Sequence, residues 1–281
     1  MTTSGPERPP GAIPEQTINR NWTELIQELR STQTGVQVLT GFLLALPLQA
    51  QTIPDYVTAA VSAPERSAKD RERDAHDKPA ELMAFAGVKP GMKVADVFAG
   101  GGYWSELLSR AVGPKGSVTL VNNPGYFYFS KDGLKERFDK GRLKEVKQRV
   151  VETGNMDLGS AQYDLIMIFM GYHDLYWVDE SNGWPKIDAG GVLDQLNRAL
   201  KPGGKLLIVD HEARKGTGSS AASSLHRIEE AFAKKDITAH GFVFEKDWPG
   251  YRNPADDHSK EVFDASIRGK TDRFAHLYRK Q

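Results

Sequence analysis

The run Val94-Ala95-Asp96-Val97-Phe98-Ala99-Gly100-Gly101-Gly102-Tyr103-Trp104-Ser105-Glu106-Leu107-Leu108 decides how this chain is read. Apolar residues surround a carboxylate, three consecutive glycines follow, and a helical pattern opens at Tyr103. A strand that breaks into glycine lets backbone approach a ligand without Cβ collisions, and the helix start behind it presents free N–H groups. That geometry suits a nucleoside cofactor.

Two cofactor classes use such a turn. A dinucleotide fingerprint requires Gly-x-Gly-x-x-Gly and an acidic residue about 20 positions further on. Counting from Gly100, the last glycine is replaced by Ser105, and the next strand ends Leu120-Val121-Asn122-Asn123 without a carboxylate. A dehydrogenase is therefore disfavoured. The S-adenosylmethionine (SAM) turn places an acidic residue before the glycines, facing the amino acid end of the cofactor, and Asp96 ahead of Gly100 and Gly102 fits it.

The bulk properties narrow the field. Lys plus Arg equals Asp plus Glu at 37 each, so no global field attracts nucleic acid or an anionic membrane, and no nucleic-acid partner is expected. The absence of cysteine removes disulfides, thiolate nucleophiles and cysteine-ligated metals together. With 281 residues, 39% of them hydrophobic, the chain can build one large domain and an appendage.

Residues 1–20 are rich in Pro, Gly, Thr and Glu and read as a disordered lead. Trp22, Leu25, Ile26 and Leu29 recur at helical spacing, and a charge-free segment follows from Ser31 to Pro54. Its middle, Val36 to Leu48, is strongly apolar and has three readings: the core of an export signal ending near Ala50, a marginal membrane span, or an amphipathic helix packed on the domain. Export or membrane anchoring to the cell envelope is favoured, with membrane contact through residues 35–50; a cytoplasmic location is the alternative. The expected division is 1–52 for the lead and hydrophobic helix, and 53–281 for the main domain.

From Ile53 onward the character is α/β. Helices are expected over Asp55–Ala63 and Ala80–Ala86, the latter started by Pro79 and ended by Gly87; Arg66–Asp77, dense in both charge signs, reads as a solvated helix face. Strands are expected at Met92–Val97, Ser117–Val121, Val146–Glu152, Tyr163–Phe169, Lys205–Val209, Gly241–Phe244 and Arg273–Tyr278. Helices alternate with them at Tyr103–Val112, Leu134–Phe138, Val192–Leu200 and Leu225–Lys234, which demands a largely parallel sheet. Tyr126-Phe127-Tyr128-Phe129 is an aromatic cluster that either packs a helix or walls an adenine ring. The long connection Trp248–Lys270 carries Asp256-Asp257-His258, read as a solvated loop or a salt-bridged cap.

Taken together, Asp96 to Gly102, Tyr163-Asp164-Leu165-Ile166 and the turn Leu200-Lys201-Pro202-Gly203-Gly204 resemble a class I SAM-dependent methyltransferase. Arg252-Asn253-Pro254, Asp256-Asp257-His258 and Arg268-Gly269-Lys270-Thr271-Asp272-Arg273-Phe274 are similar to the tail of an uncharacterised bacterial group of predicted, often exported, methyltransferases. Residues Asn21 to Gln49 resemble the opening of an uncharacterised bacterial membrane-protein family. The methyltransferase resemblance covers about Asp55 to Gln281 and implies a Rossmann-like, seven-stranded, mostly parallel sheet with its last strand antiparallel. The cofactor would lie at the carboxyl ends of the first four strands.

On that resemblance, Asp96, Phe98, Ala99, Gly100, Gly102 and Tyr103 would cradle the methionine half of SAM, Asn122 or Asn123 the ribose, and Asn155 with Met156 the adenine. Two departures stand out. Phe98 replaces the usual first glycine, and an Asn replaces the ribose-binding carboxylate, where an amide bonds a hydroxyl without charge assistance.

Methyl transfer from a sulfonium is an in-line displacement that mainly needs alignment, with a base only where the acceptor carries a proton. Candidates are His173 and Asp174 after the fourth strand and His211 after the fifth, where an open α/β sheet places its site. His76, His226, His240, His258 and His276 read as structural or solvent-facing. His173, Asp174, His211 and Glu212 are metal-ligand types, but no spacing organises them, so no metal site is expected. The function expected is methyl transfer to a small-molecule acceptor; the alternative is a non-catalytic envelope protein using the fold as a ligand-binding or interaction module. Oligomeric state is not encoded in any motif.

Overall fold

The computed structural model describes residues 52–180 and 184–281, together with Glu24, Gln27, Glu28 and Arg30, which are helical and exposed. The apolar segment 36–48 lies outside the described residues. The chain divides into two units, Met1–Thr52 and Ile53–Gln281, and the sheet belongs to the second.

Within the unit Ile53–Gln281, three helices precede the sheet: α1 (Asp55–Ser62), α2 (Ala68–Asp77) and α3 (Pro79–Ala86). Then β1 (Lys93–Val97), α4 (Tyr103–Val112), β2 (Ser117–Asn122), α5 (Pro124–Asp139), β3 (Val146–Val150) and β4 (Tyr163–Phe169) alternate. The remainder is α6 (Ala189–Ala199), β5 (Leu200–His211), the short α7 (Ala222–Leu225), α8 (Glu230–Ala239), β6 (Phe242–Asp247) and β7 (Arg273–Lys280). The seven strands lie in the order β3-β2-β1-β4-β5-β7-β6. Pairing is parallel from β3 through β5, whereas β7 runs antiparallel to both its neighbours.

Alternation along each strand divides the core between the two faces of the sheet. On β4, Leu165, Met167 and Phe169 meet the face covered by α1, α3 and α4, while Ile166 and Ile168 meet the face covered by α6 and α8. Strands buried on both sides must be apolar throughout, which is why β4 reads as an unbroken apolar run.

Several segments differ from expectation. The helix expected over Leu225–Lys234 is broken by the left-handed backbone of His226, so α7 ends at Leu225 and α8 begins only at Glu230. Leu134–Phe138 is only the end of a helix that begins at Pro124, because the Asn123 side chain accepts the Tyr126 N–H at 2.8 Å and Pro124 occupies the first helical position. Pro124-Gly125 thus forms the first turn of a helix. The charge-dense α2 region is not simply solvated: Arg66, Asp70 and Asp77 are buried. Asp70 accepts from Arg137 and Arg142, both of which also reach Glu106 on α4. Opposite charges at matched positions on three helices satisfy each other where water is excluded.

The Asp256-Asp257-His258 run forms a salt-bridged cap. The fully buried Arg227 pairs with Asp256 at 2.9 Å, and Asp256 also accepts the Asp272 N–H at 2.7 Å just before β7.

Candidate active site

The glycine turn is tied down from two sides. Asn122, at the end of β2, accepts the Gly100 N–H at 2.9 Å and donates to the Gly100 carbonyl at 3.0 Å. Arg137 of α5 donates to the Gly101 carbonyl at 2.8 Å. Gly102 is the residue before α4, has φ +82°, and a Cβ there would lie 3.0 Å from Leu143, so this position requires glycine.

This bracing uses up several residues expected to bind cofactor. Asn122 is fully buried and spends its amide on Gly100; Asn123 caps α5 and donates to Thr153 at 3.2 Å. Neither amide is offered to a ribose. Asp96 is likewise buried, accepts from Ser105 Oγ at 2.6 Å and faces no open space. Burial pushes its carboxyl up to about 7, against the opposing bond from Ser105. Tyr103 is buried with its hydroxyl on Asp74 at 2.6 Å.

Phe98 stands where the resemblance expects a glycine. Its backbone is left-handed, at φ +55°, and its ring stacks on Tyr126 with centroids 4.9 Å apart. A Cβ added to Gly171, just past β4, would lie 2.9 Å from the Tyr126 hydroxyl and 3.2 Å from Phe98 Cβ. The aromatic pair therefore fills the crevice between the carboxyl ends of β1 and β4. Ala99, Gly100 and Gly101 remain partly exposed, Asn155 is exposed, and Met156 is buried with its N–H on Gln195 at 2.8 Å. The side-chain polar groups of Asp96, Tyr103, Asn122 and Asn123 are thus spent on internal bonds, while the Ala99–Gly101 backbone and Asn155 stay accessible.

The candidate catalytic residues, by contrast, converge. His173 and Asp174 lie on a helical turn after β4, and Asp210 and His211 end β5. Asp210 accepts the His173 backbone N–H at 2.7 Å, and its carboxylate meets His173 Nδ1 at 2.7 Å. His173 Nε2 lies 3.2 Å from Asp174 Oδ1, and Asp174 Oδ2 accepts the Tyr126 hydroxyl. Burial disfavours a charged His173, but Asp174 and Asp210 outweigh it and hold the imidazole well above its ordinary pKa. His211, its Nδ1 on Thr271 Oγ1 at 2.8 Å, is driven the other way by burial and by His173, Arg273 and Arg227. The two rings, with centroids 6.0 Å apart, thus divide into a charged and a neutral imidazole.

His226, read from sequence as structural or solvent-facing, joins this group. It sits at the left-handed C-terminus of α7 with φ +52°, its ring 5.4 Å from that of His173 and its Nδ1 3.8 Å from Asp174 Oδ1. No local pattern announces it, since a tertiary contact brings the end of α7 to the turn that follows β4.

These side chains form the polar floor of a cavity of about 480 Å³ walled by Trp177, Trp184, Phe129, Val262 and Phe263. A second hollow of about 700 Å³ adjoins Gly101 and carries Arg73, Arg137, Arg142 and Arg273; Met170, His211, Val262 and Phe263 line both. Tyr126 forms part of the aromatic wall, while Tyr128 and Phe129 of the same cluster are largely exposed.

Comparison with known proteins bears on this geometry. Residues 12–54 match a family of unknown function (DUF6328). The chain is 26% identical over 170 residues to the ubiquinone/menaquinone biosynthesis C-methyltransferase UbiE of Shewanella sp. (strain W3-18-1), which covers 60% of this chain and 60% of that protein. Among solved structures, it is similar to a putative sarcosine dimethylglycine methyltransferase from Galdieria sulphuraria, at 17% identity and a TM-score of 0.54, covering 83% of this chain and 92% of the other. A SAM dependent methyltransferase from Aquifex aeolicus aligns at 19% identity and a TM-score of 0.51, covering 75% and 98%. With its strand order, its reversed seventh strand and these neighbours, the unit Ile53–Gln281 has the fold of the class I SAM-dependent methyltransferases.

Proposed function

We propose that this domain is a SAM-dependent methyltransferase whose acceptor is a small, flat organic molecule bound in the aromatic cavity beside His173. The observation that carries this reading is the position of the cavity. It lies at the carboxyl ends of β4 and β5, where open α/β sheets bind ligands, and joins apolar walls to a buried acid–base cluster. His211, held neutral, is the imidazole ready to accept the acceptor's proton; the charged His173, oriented by Asp210 and Asp174, faces the oxygen that loses it. Trp177 and Trp184 supply flat surfaces against which a ring stacks.

For a nucleoside to enter, Phe98 and Tyr126 must part. On this reading the pair moves by rotating Phe98 out of its left-handed position and releasing the Tyr126 hydroxyl from Asp174. Isothermal calorimetry with S-adenosylhomocysteine on the full chain tests the reading. Binding by wild type or by Phe98→Gly supports it; no heat from either at millimolar ligand refutes it and leaves the fold as a non-catalytic binding module. Residues 36–48 support an exported or membrane-anchored location, which cell fractionation checks.

A further inference from the structure

We propose that His173, Asp174 and His226 form a binding site for a first-row divalent metal ion of the zinc or iron(II) type, with an open coordination position facing the aromatic cavity. The inference stands on geometry and not on the methyltransferase reading.

Each of the three residues offers one ligand atom, and the three atoms all lie within 4.8 Å of one another. Ligands about 2.1 Å from a tetrahedral ion are separated from each other by about 3.4 Å. Two edges of the set bracket that spacing: His173 Nε2 to Asp174 Oδ1 at 3.2 Å, and His226 Nδ1 to Asp174 Oδ1 at 3.8 Å. Closing the remaining edge takes a displacement of about 1.4 Å or less. His226 can supply it, because its side chain is 19% exposed and caps a helix of a single turn.

The surroundings match what a metal site needs beyond its ligands. A ligating histidine commonly gives its other ring nitrogen to a carboxylate, and a ligating carboxylate is itself hydrogen-bonded. Here Asp210, fully buried, meets His173 Nδ1 and leaves Nε2 toward Asp174 and the cavity. Tyr126 donates to Asp174 Oδ2, which leaves Oδ1 as the oxygen that both imidazoles approach. Two imidazoles and one carboxylate select zinc, iron or a neighbouring transition metal over magnesium or calcium, which prefer all-oxygen sets. Three protein ligands leave a position for water or an organic oxygen, and that position faces the floor of the cavity of about 480 Å³. A metal there would place its positive charge where the charged His173 places it otherwise, against the oxygen of a bound molecule.

The test uses cobalt(II) and zinc(II) with the full chain purified free of metal. Titration should show one equivalent bound, with visible cobalt d–d bands of intensity typical of four- or five-coordinate nitrogen–oxygen ligation, and zinc should bleach them. His226→Asn, chosen because asparagine tolerates a left-handed backbone, should weaken binding at least ten-fold while melting within a few degrees of wild type. Asp210→Asn should weaken it by about 10- to 100-fold through the orientation of His173. Absence of stoichiometric binding in wild type overturns the proposal, and so does binding that His226→Asn leaves unchanged. Homocysteine-nucleoside calorimetry on the same samples reports separately on the methyltransferase reading, so the two can fail independently.

Discussion

Replacing Phe98 by glycine tests whether this side chain plugs the cofactor crevice. Phe98 is 5% exposed and stacked on Tyr126. Truncating a core phenylalanine costs about 3–5 kcal/mol. Against that, a residue with a Cβ held in the left-handed region carries about 1–2 kcal/mol of strain that glycine does not. The net is a destabilisation of about 1–4 kcal/mol, visible as a lower midpoint in urea unfolding. Ligand binding should move oppositely. The aromatic stack, worth about 0.5–1.5 kcal/mol, must be broken in the wild type before a nucleoside enters, so Phe98→Gly should bind S-adenosylhomocysteine about two- to ten-fold more tightly. Calorimetry on both proteins, each checked by its unfolding transition, reads the difference. A folded Phe98→Gly with unchanged or weaker affinity refutes the plug and, with it, the assignment of the β1–β4 crevice to the cofactor.

Asp96 gives a pH prediction. Its pKa rises from an ordinary 3.8 to about 7 on folding, so between those values the native state binds more protons than the unfolded state and stability falls as pH rises. Asp96→Asn should therefore be at least as stable as wild type at pH 8, with a flatter profile between pH 4 and 7; equal loss of stability at both ends of that window contradicts the assignment. Asp70→Asn removes the carboxylate shared by Arg137 and Arg142 and should cost about 3–5 kcal/mol, since it leaves buried guanidinium charge uncompensated; a change below about 1 kcal/mol in denaturant unfolding would show that water already reaches the network. Once an acceptor is in hand, His211→Gln should lower kcat about 10²- to 10⁴-fold with a smaller change in KM, and an unaltered kcat removes His211 as the proton acceptor.

The linear order of residues was enough for the fold. Tyr163–Phe169, apolar at every position but Asp164, can only be a strand buried on both faces, and its alternation with capped helices forces a parallel sheet. Proline and glycine at Pro79 and Gly87 set helix ends by backbone geometry alone. Such features depend on neighbours in sequence and are legible there. What the site does with its residues depends on neighbours in space. Asn122 and Asp96 carry the right chemistry at the right positions, yet the turn itself consumes one and the helix start behind it consumes the other. The acidic and basic residues of α2 read as solvent-facing because their partners Arg137, Arg142 and Arg273 stand on elements far along the chain. His226 is silent in sequence for the same reason. Only the tertiary approach of the end of α7 to the turn after β4 brings it to Asp174, and polar side chains acquire their roles from whichever groups share their low-dielectric surroundings once water has been excluded.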